Sequence, residues 1–116
     1  MCPGTRACIA YVVGRVATGA VGSYVYDFAQ ARHLNIGGTI RGDRIGLYDY
    51  ERGCDFAGSL PHLYDHGAKA DVFLEIDGNQ FSGRDHRSGH GFSGGVTGSS
   101  ISLHDHATSE RFEYGL

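Results

Sequence analysis

The chain has 116 residues, a formal net charge of −3, and 19 glycines but only two prolines. This length predicts one domain with a single hydrophobic core. Lysine and arginine are scattered without a basic stripe, and no run approaches the roughly 18 apolar residues of a membrane span, so we expect neither nucleic acid nor a membrane as a partner.

The cysteines bear on the cellular compartment. Three thiols, Cys2, Cys8 and Cys54, cannot all pair within the chain, and their spacing fits neither a disulfide framework nor a zinc ribbon. We therefore expect reduced thiols in the cytoplasm. Secretion is the alternative, because Arg6 followed by the apolar run 7–13 resembles a signal peptide, although the run is interrupted early.

The first predicted element is a strand near the N-terminus. Residues 7–13 are rich in β-branched and aromatic side chains, which favours a strand over a helix, and the pattern continues to about Val16. We predict that residues 1–19 form an N-terminal arm and strand, and that residues 1–116 form a single β domain.

Five aspartates mark an internal repeat in the rest of the chain. They lie 22, 16, 20 and 20 residues apart, at Asp27, Asp49, Asp65, Asp85 and Asp105. An apolar residue or a glycine stands two positions before each aspartate, and an apolar residue stands seven positions after it. A recurring spacing of about this size indicates one supersecondary unit used repeatedly. We predict that residues 20–116 are five hairpin units.

Alternating apolar and polar residues predict the strands of these units. Glycines at positions 42, 78 and 98 supply the positive φ of tight hairpin loops, and the aspartates begin the turns at the opposite end. The predicted fold is all-β, an antiparallel up-and-down meander of about 10–11 strands, closed as a barrel or a flattened two-layer clam. The predicted strands are 22–28, 32–41, 43–50, 54–60, 62–66, 70–77, 79–85, 90–97, 99–105 and 110–115.

Strand parity separates a core face from an outer face. The core face is predicted to bury Ile45, Leu47, Phe56, Val72, Leu74, Ile76, Phe81, Phe92, Val96, Ile101 and Leu103. The outer face carries aromatic side chains in the early units and histidines in the later ones. Its residues are the candidate ligand-binding residues: Tyr24, Tyr26, Tyr48, Tyr50, Tyr64, His66, His86, His104 and His106.

Histidine and aspartate stand side by side in the last three units, at His66, His86 and His106. Imidazole and carboxylate together can bind a transition metal or transfer protons, so a small hydrolase-type or metal-type enzyme is an alternative function. The same repeat position holds Phe28 and Tyr50 in the other units, which favours flat side chains that cover neighbouring strands. We expect no catalytic residue, metal or cofactor, and we expect the repeated aspartates to accept hydrogen bonds within their turns.

Three segments carry a resemblance to a known group of proteins: Ser23-Tyr24-Val25-Tyr26-Asp27, Leu47-Tyr48-Asp49-Tyr50-Glu51 and residues 98–106. They resemble the Tyr-Asp-Tyr hairpin units of small uncharacterised bacterial proteins, including those encoded on integron gene cassettes. The resemblance covers residues 20–116 and implies a compact bacterial β-protein without a known activity.

The outer face suggests a function in binding. Exposed aromatic side chains provide contact area at low entropic cost, so we expect a non-enzymatic binding or interaction module that holds a small apolar or sugar-like ligand or a protein partner. We expect it to act as a monomer or a homodimer.

Overall fold

The structure, a computed structural model, describes all residues 1–116. It contains one helix followed by ten strands. The elements are α1 (Pro3–Thr18), β1 (Tyr24–Asp27), β2 (Arg32–Arg41), β3 (Arg44–Asp49), β4 (Cys54–Ser59), β5 (His62–Asp65), β6 (Ala70–Asp77), β7 (Gln80–Asp85), β8 (His90–Thr97), β9 (Ser100–Asp105) and β10 (Glu110–Gly115).

The ten strands form a closed antiparallel barrel. Each strand pairs with the next along the chain, and β1 pairs with β10 to close the ring. The all-β meander predicted from the sequence is therefore confirmed, the closure is a barrel, and every predicted strand of residues 20–116 is present. The closing contact is short, because only Tyr26 and Asp27 of β1 pair with β10, opposite Gly115 and Tyr114.

The N-terminal strand predicted for residues 7–16 is wrong, because this segment belongs to helix α1. Residues Thr5 to Gly14 of the helix are buried on every side, inside the barrel. A barrel of more than about eight strands has an interior wider than its own side chains fill, and the helix occupies that space. Its central residues 7–14 are apolar all round, so they have no polar face and lack the 3.6-residue alternation from which a helix is recognised.

Both ends of α1 carry helix signals that the strand prediction did not use. Pro3 stands at the first helical position, where its missing N–H costs nothing. Gly19 ends the helix in the left-handed conformation, with φ +70°, and its N–H donates to the carbonyl oxygen of Arg15. Together they bound the 16 residues of the helix.

The core is a cluster of 22 buried apolar residues that joins the helix to the inner wall of the barrel. Of the eleven core residues predicted from the strands, ten are buried, and Ile76 is partly buried. The helix contributes small side chains where it approaches the wall closely. A Cβ on Gly14 would lie 3.0 Å from the side chains of Ile101 and Leu116, so glycine permits this approach.

The turns lie at the two ends of the barrel, which we call the aspartate end and the tight-turn end. At the aspartate end, the residue four positions after each aspartate has a positive φ, and these residues are Ala31, Gly53, Lys69, Gly89 and Ser109. At the tight-turn end, Gly42, Gly78 and Gly98 begin two-residue hairpin loops with φ between +57° and +60°, as predicted. The five hairpin units therefore share one turn geometry at the aspartate end.

Candidate functional site

The five repeated aspartates point into the barrel and surround the N-terminal part of helix α1. Each is at most 2% exposed. One carboxylate oxygen of each aspartate accepts a backbone N–H from its own turn, at 2.9 Å from Ala29, Glu51 and Gly67 and at 3.0 Å from Arg87 and Ala107. The prediction that these aspartates are turn acceptors is confirmed.

The buried carboxylates of Asp49 and Asp65 also form ion pairs with Arg52, whose side chain is partly exposed. The Arg52 Nε lies 2.5 Å from an oxygen of Asp49, and its Nη1 lies 3.0 Å from both oxygens of Asp65. The hydroxyl of Thr5 on helix α1 donates to Asp65 as well. Burial by itself lowers the pKa of Arg52, but the two carboxylates more than offset this effect and raise it above its usual value. The network therefore ties the helix to the wall through charge-assisted hydrogen bonds.

The thiols lie near the same guanidinium. The Cys8 sulfur is 3.5 Å from Nη2 of Arg52, and burial together with Asp49 raises the pKa of Cys8 well above its usual value. Burial tends to raise the pKa of Cys2. Hydrogen bonds from the backbone N–H groups of Thr5 and Gly4, together with the charge of Arg52, lower it by more than burial raises it, so the pKa of Cys2 is below its usual value. All three cysteines are free thiols.

Another arginine, Arg6 of helix α1, is buried against β10. Its Nε donates to the hydroxyl of Tyr114 at 2.9 Å, and its guanidinium lies 3.5 Å above the ring centroid of Phe112. Burial raises the pKa of Tyr114 to about 12, so this phenol remains protonated at neutral pH. The contact holds a cation of the helix against the closing strand of the barrel.

The candidate residues from the sequence lie on the outside of the barrel. Most of them flank the inward-facing aspartates, one position before or after, and form edge-to-face pairs. We call all the candidate residues, together with Phe28 and Arg84, the outer belt. The ring centroids are 4.8 Å apart for Tyr26 and Phe28, 4.9 Å for Tyr48 and Tyr50, 4.7 Å for Tyr64 and His66, and 5.0 Å for His104 and His106.

Several rings of the outer belt cover a glycine of the neighbouring strand. A Cβ on Gly37 would lie 3.5 Å from the ring of Tyr50, and one on Gly91 would lie 3.3 Å from the ring of His106. The ring of Phe28 covers a third glycine, at residue 115, in the same way. An aromatic ring packed over a glycine replaces the missing side chain and stabilises strand pairing. The belt is thus a packing device of the barrel wall.

The neighbouring aspartates and histidines lie on opposite faces of the wall. Asp65, Asp85 and Asp105 are buried inside, whereas His66, His86 and His106 are exposed outside. An acid–base pair requires its two groups within hydrogen-bond reach of each other or of a shared water, and these groups point apart. The structure brings no three histidine, cysteine or acidic side chains together in an arrangement for a metal ion.

A cleft of about 510 Å³ opens beside the short β1–β10 closure, at the tight-turn end. We call it the seam cleft. Its wall is formed by the last turns of α1, the loop 20–22, the start of β1, the loop between β8 and β9, and the C-terminal residue of the chain. The lining residues are Tyr11, Arg15, Thr18, Ala20, Val21, Gly22, Tyr24, Gly98, Ser99 and Leu116.

The hydrogen bonds of Arg15 fix the polar side of the seam cleft. Its Nη1 donates to the hydroxyl of Tyr11 at 2.8 Å, and its Nε donates to the carbonyl oxygen of Ala20 at 3.2 Å. The Tyr11 hydroxyl in turn donates to the carbonyl oxygen of Gly22. These bonds connect α1 to the loop before β1, so helix and loop form one wall.

Of the candidate residues named from the sequence, only Tyr24 lines the seam cleft. Sequence reasoning missed Tyr11 and Arg15 because both were assigned to a strand. A helix bounded by Pro3 and Gly19 would place them four residues apart, on one face of the last turns. Leu116 falls within the repeat pattern, eleven residues after Asp105, but no local pattern places it beside the helix and β1.

A second groove, of about 720 Å³ and more open, follows the other side of the helix C-terminus. Val16 and Ala17 form part of its wall, and Asp43 and Glu75 place carboxylates at its edge. Its lining is more polar than that of the seam cleft. It is therefore the weaker candidate for an apolar ligand.

Comparison of the chain with protein families, with curated proteins and with solved structures finds no match. The chain has no helix with the length and hydropathy that a membrane span requires.

Proposed function

We propose that the protein is a non-enzymatic binding module, and that its ligand is a small, largely apolar molecule held in the seam cleft. The volume of about 510 Å³ supports this proposal, because it lies within the range of small-molecule sites. The lining supports it as well, since Tyr24, Val21 and Leu116 provide apolar surface and only a few polar groups converge on it. We place the protein in the cytoplasm, where its free thiols stay reduced.

The exposure of the cleft residues is the observation that carries the proposal. Val21 is 86% exposed and Tyr24 is 40% exposed, although both have large apolar side chains. Covering such surface is favourable at about 25 cal/mol for each Å² removed from water. A bound apolar molecule that covers these side chains would gain this free energy.

The outer belt continues the cleft surface in one direction. Tyr24 forms an edge-to-face pair with His33 at 4.4 Å, and His33 pairs in turn with Tyr26 at 5.0 Å. Tyr24 therefore belongs both to the cleft and to the aromatic outer face from which the sequence suggested binding. A ligand longer than the cleft would extend along these rings.

The geometry favours binding over catalysis. The aspartates are engaged by turn amides inside the barrel, and the histidines face outward on the opposite side of the wall. An enzyme that used these pairs would need both groups to reach one substrate, which the wall between them prevents.

Fluorescence titration with N-phenyl-1-naphthylamine, a neutral apolar dye, tests the proposal. Gly22 lines the cleft with open space around its Cβ position and without a positive φ, so Gly22→Phe fills the cleft without backbone strain. Ser59→Phe adds the same side chain at an exposed site on β4 and serves as the matched control.

We expect the dye to bind the native protein and its Ser59→Phe variant, and to lose binding with Gly22→Phe. Bound dye should also raise the thermal midpoint, because a ligand that binds only the folded state stabilises it. Absence of binding by this dye and by its sulfonated analogue, or equal binding to the native protein and the Gly22→Phe variant, would refute the proposal.

A further inference from the structure

We infer that the ligand of the seam cleft is an amphipathic anion, and that its negative group binds the Arg15 guanidinium while its apolar part fills the cleft. The inference rests on the function proposed above and names the class of ligand. Four observations carry it: the partners of Arg15, the state of the helix C-terminus, the absence of acidic side chains in the lining, and the fixed orientation of the guanidinium.

Arg15 has only neutral partners. Its hydrogen bonds go to the hydroxyl of Tyr11 and to the carbonyl oxygens of Ala20 and Gly38, the last at 3.4 Å. The ion pairs of the protein all involve other groups, so no carboxylate lies within 4.0 Å of Arg15. A guanidinium stays charged at any physiological pH and has five N–H donors. Its charge is therefore not neutralised, and Nη2 has no protein acceptor.

The C-terminus of helix α1 does not neutralise the charge of Arg15. An arginine in the last turn often binds the final carbonyl groups of its own helix. Here the hydroxyl of Thr18 donates to the carbonyl oxygen of Gly14 at 2.7 Å, and the N–H of Gly19 donates to that of Arg15 at 2.8 Å. The negative end of the helix dipole amounts to roughly half an elementary charge, so it offsets only part of the charge of Arg15.

Arg15 is the only charged side chain in the lining of the cleft, which contains no aspartate or glutamate. The other charge there is the α-carboxylate of Leu116, which lies more than 4.0 Å from Arg15 and forms no ion pair with it. The second groove differs in this respect, because Asp43 and Glu75 line it. Apolar walls strengthen the attraction between opposite charges, since they lower the local dielectric constant.

The guanidinium is also held in a fixed orientation. Its Nε and Nη1 are fixed by Ala20 and Tyr11, and its Cζ lies 5.2 Å from the ring centroid of Tyr11. A planar donor group that is already ordered loses little entropy when an anion binds. The fitting ligand thus combines one carboxylate, sulfonate or similar anionic group with an apolar body of cleft size.

A pair of dyes that differ in one group tests this inference. 1-Anilinonaphthalene-8-sulfonate has the ring skeleton of N-phenyl-1-naphthylamine and adds a sulfonate, so the comparison isolates the negative charge. We expect the native protein to bind the anionic dye at least about tenfold more tightly than the neutral dye, which corresponds to about 1.4 kcal/mol. We also expect the affinity for the anionic dye to fall as NaCl is added, because salt screens the contact with a partly exposed cation.

Substitution of Arg15 assigns the effect to this side chain. Arg15→Met should reduce the affinity for the anionic dye by about tenfold and change that for the neutral dye by less than about twofold. Arg15→Lys keeps the charge without the planar guanidinium, so its affinity for the anionic dye should lie between that of the native protein and that of Arg15→Met. Arg44→Met removes an exposed arginine at the same end of the barrel, and it should leave both affinities unchanged.

The outcomes separate the two proposals. If neither dye binds, or if Gly22→Phe affects neither, the seam cleft is not a binding site and the proposed function fails. If both dyes bind in the cleft with equal affinity, or if Arg15→Met and Arg44→Met act alike, binding stands and the inference of an anionic ligand is overturned. Near-ultraviolet circular dichroism of each variant verifies native packing, and the dye comparison on the native protein stands without any variant.

Discussion

The repeated aspartates occupy equivalent positions, but their removal should not cost the same. Asp65 accepts backbone N–H groups from Gly67 and Ala68, the hydroxyl of Thr5 and the guanidinium of Arg52. Asp85 accepts one hydrogen bond through its carboxylate, from the N–H of Arg87. Asp65→Ala therefore removes one of the two carboxylates that pair with Arg52 and leaves several donors unpaired, whereas Asp85→Ala leaves one.

The expected magnitudes follow from these partners. Asp65→Ala leaves the hydroxyl of Thr5 and the N–H of Gly67 unpaired, at about 1–3 kcal/mol for each buried donor, so it should lower the free energy of unfolding by about 3–5 kcal/mol. Asp85→Ala should cost about 1–3 kcal/mol, the range for unsatisfied donors. A domain of this size has a total stability of about 5–15 kcal/mol, so Asp65→Ala removes a large part of it. Asp55→Ala, at an exposed aspartate of β4, is the matched control and should change little.

Urea unfolding followed by circular dichroism and by tyrosine fluorescence measures these differences through linear extrapolation. A double-mutant cycle of Asp65→Ala with Arg52→Met adds a second check. The double variant should lose less stability than the sum of the two single variants. In the double variant both members of the Arg52–Asp65 ion pair are absent, so neither is left without its partner. Equal losses for Asp65→Ala and Asp85→Ala would refute the reasoning from hydrogen-bond partners.

Three further predictions concern the wall, a turn and the thiols. Gly83→Ala should lower the free energy of unfolding by more than about 3 kcal/mol, because its Cβ would lie 1.9 Å from a backbone oxygen of β6, whereas at Gly46 the nearest atom is 3.5 Å away and alanine should be tolerated. Lys69→Gly should raise the urea midpoint, with a gain of about 0.5–1 kcal/mol, since φ is +54° at this position. Iodoacetamide at pH 8 should alkylate Cys2 well before Cys8, because the pKa of Cys2 is lowered, whereas Cys8 is buried and its pKa is raised. Mass spectrometry of peptides measures the order of alkylation, and the reverse order would contradict the thiol environments described above.

The strands and turns were predictable from the sequence because their causes are local. Alternation with a period of two separates Leu47 from Tyr48 whatever the rest of the chain does, and the core face assigned in this way is buried. Each aspartate bonds amide groups two or three residues further along, so the turn geometry is contained in a few neighbouring residues. Repetition of these signals then fixed the meander.

The seam cleft was not predictable in this way, because it joins distant parts of the chain. Tyr11 and Arg15 come from the helix, Ser99 from the loop between β8 and β9, and Leu116 from the end of the chain. The β9–β10 ladder brings Leu116 to Ser99, but only the packing of the helix inside the closed barrel places Tyr11 and Arg15 beside them. No local pattern encodes the length of a closing contact between the first and last strands.

The difference between what the sequence predicts and what the structure decides is clearest for residues 7–13. The sequence by itself determined that this segment is apolar, and that ten amphipathic strands follow it. Only the tertiary structure decided that it is a helix. A closed ring of ten strands leaves an interior that must be filled, and a helix fills it while satisfying its own backbone hydrogen bonds, which a lone strand inside the barrel could not do.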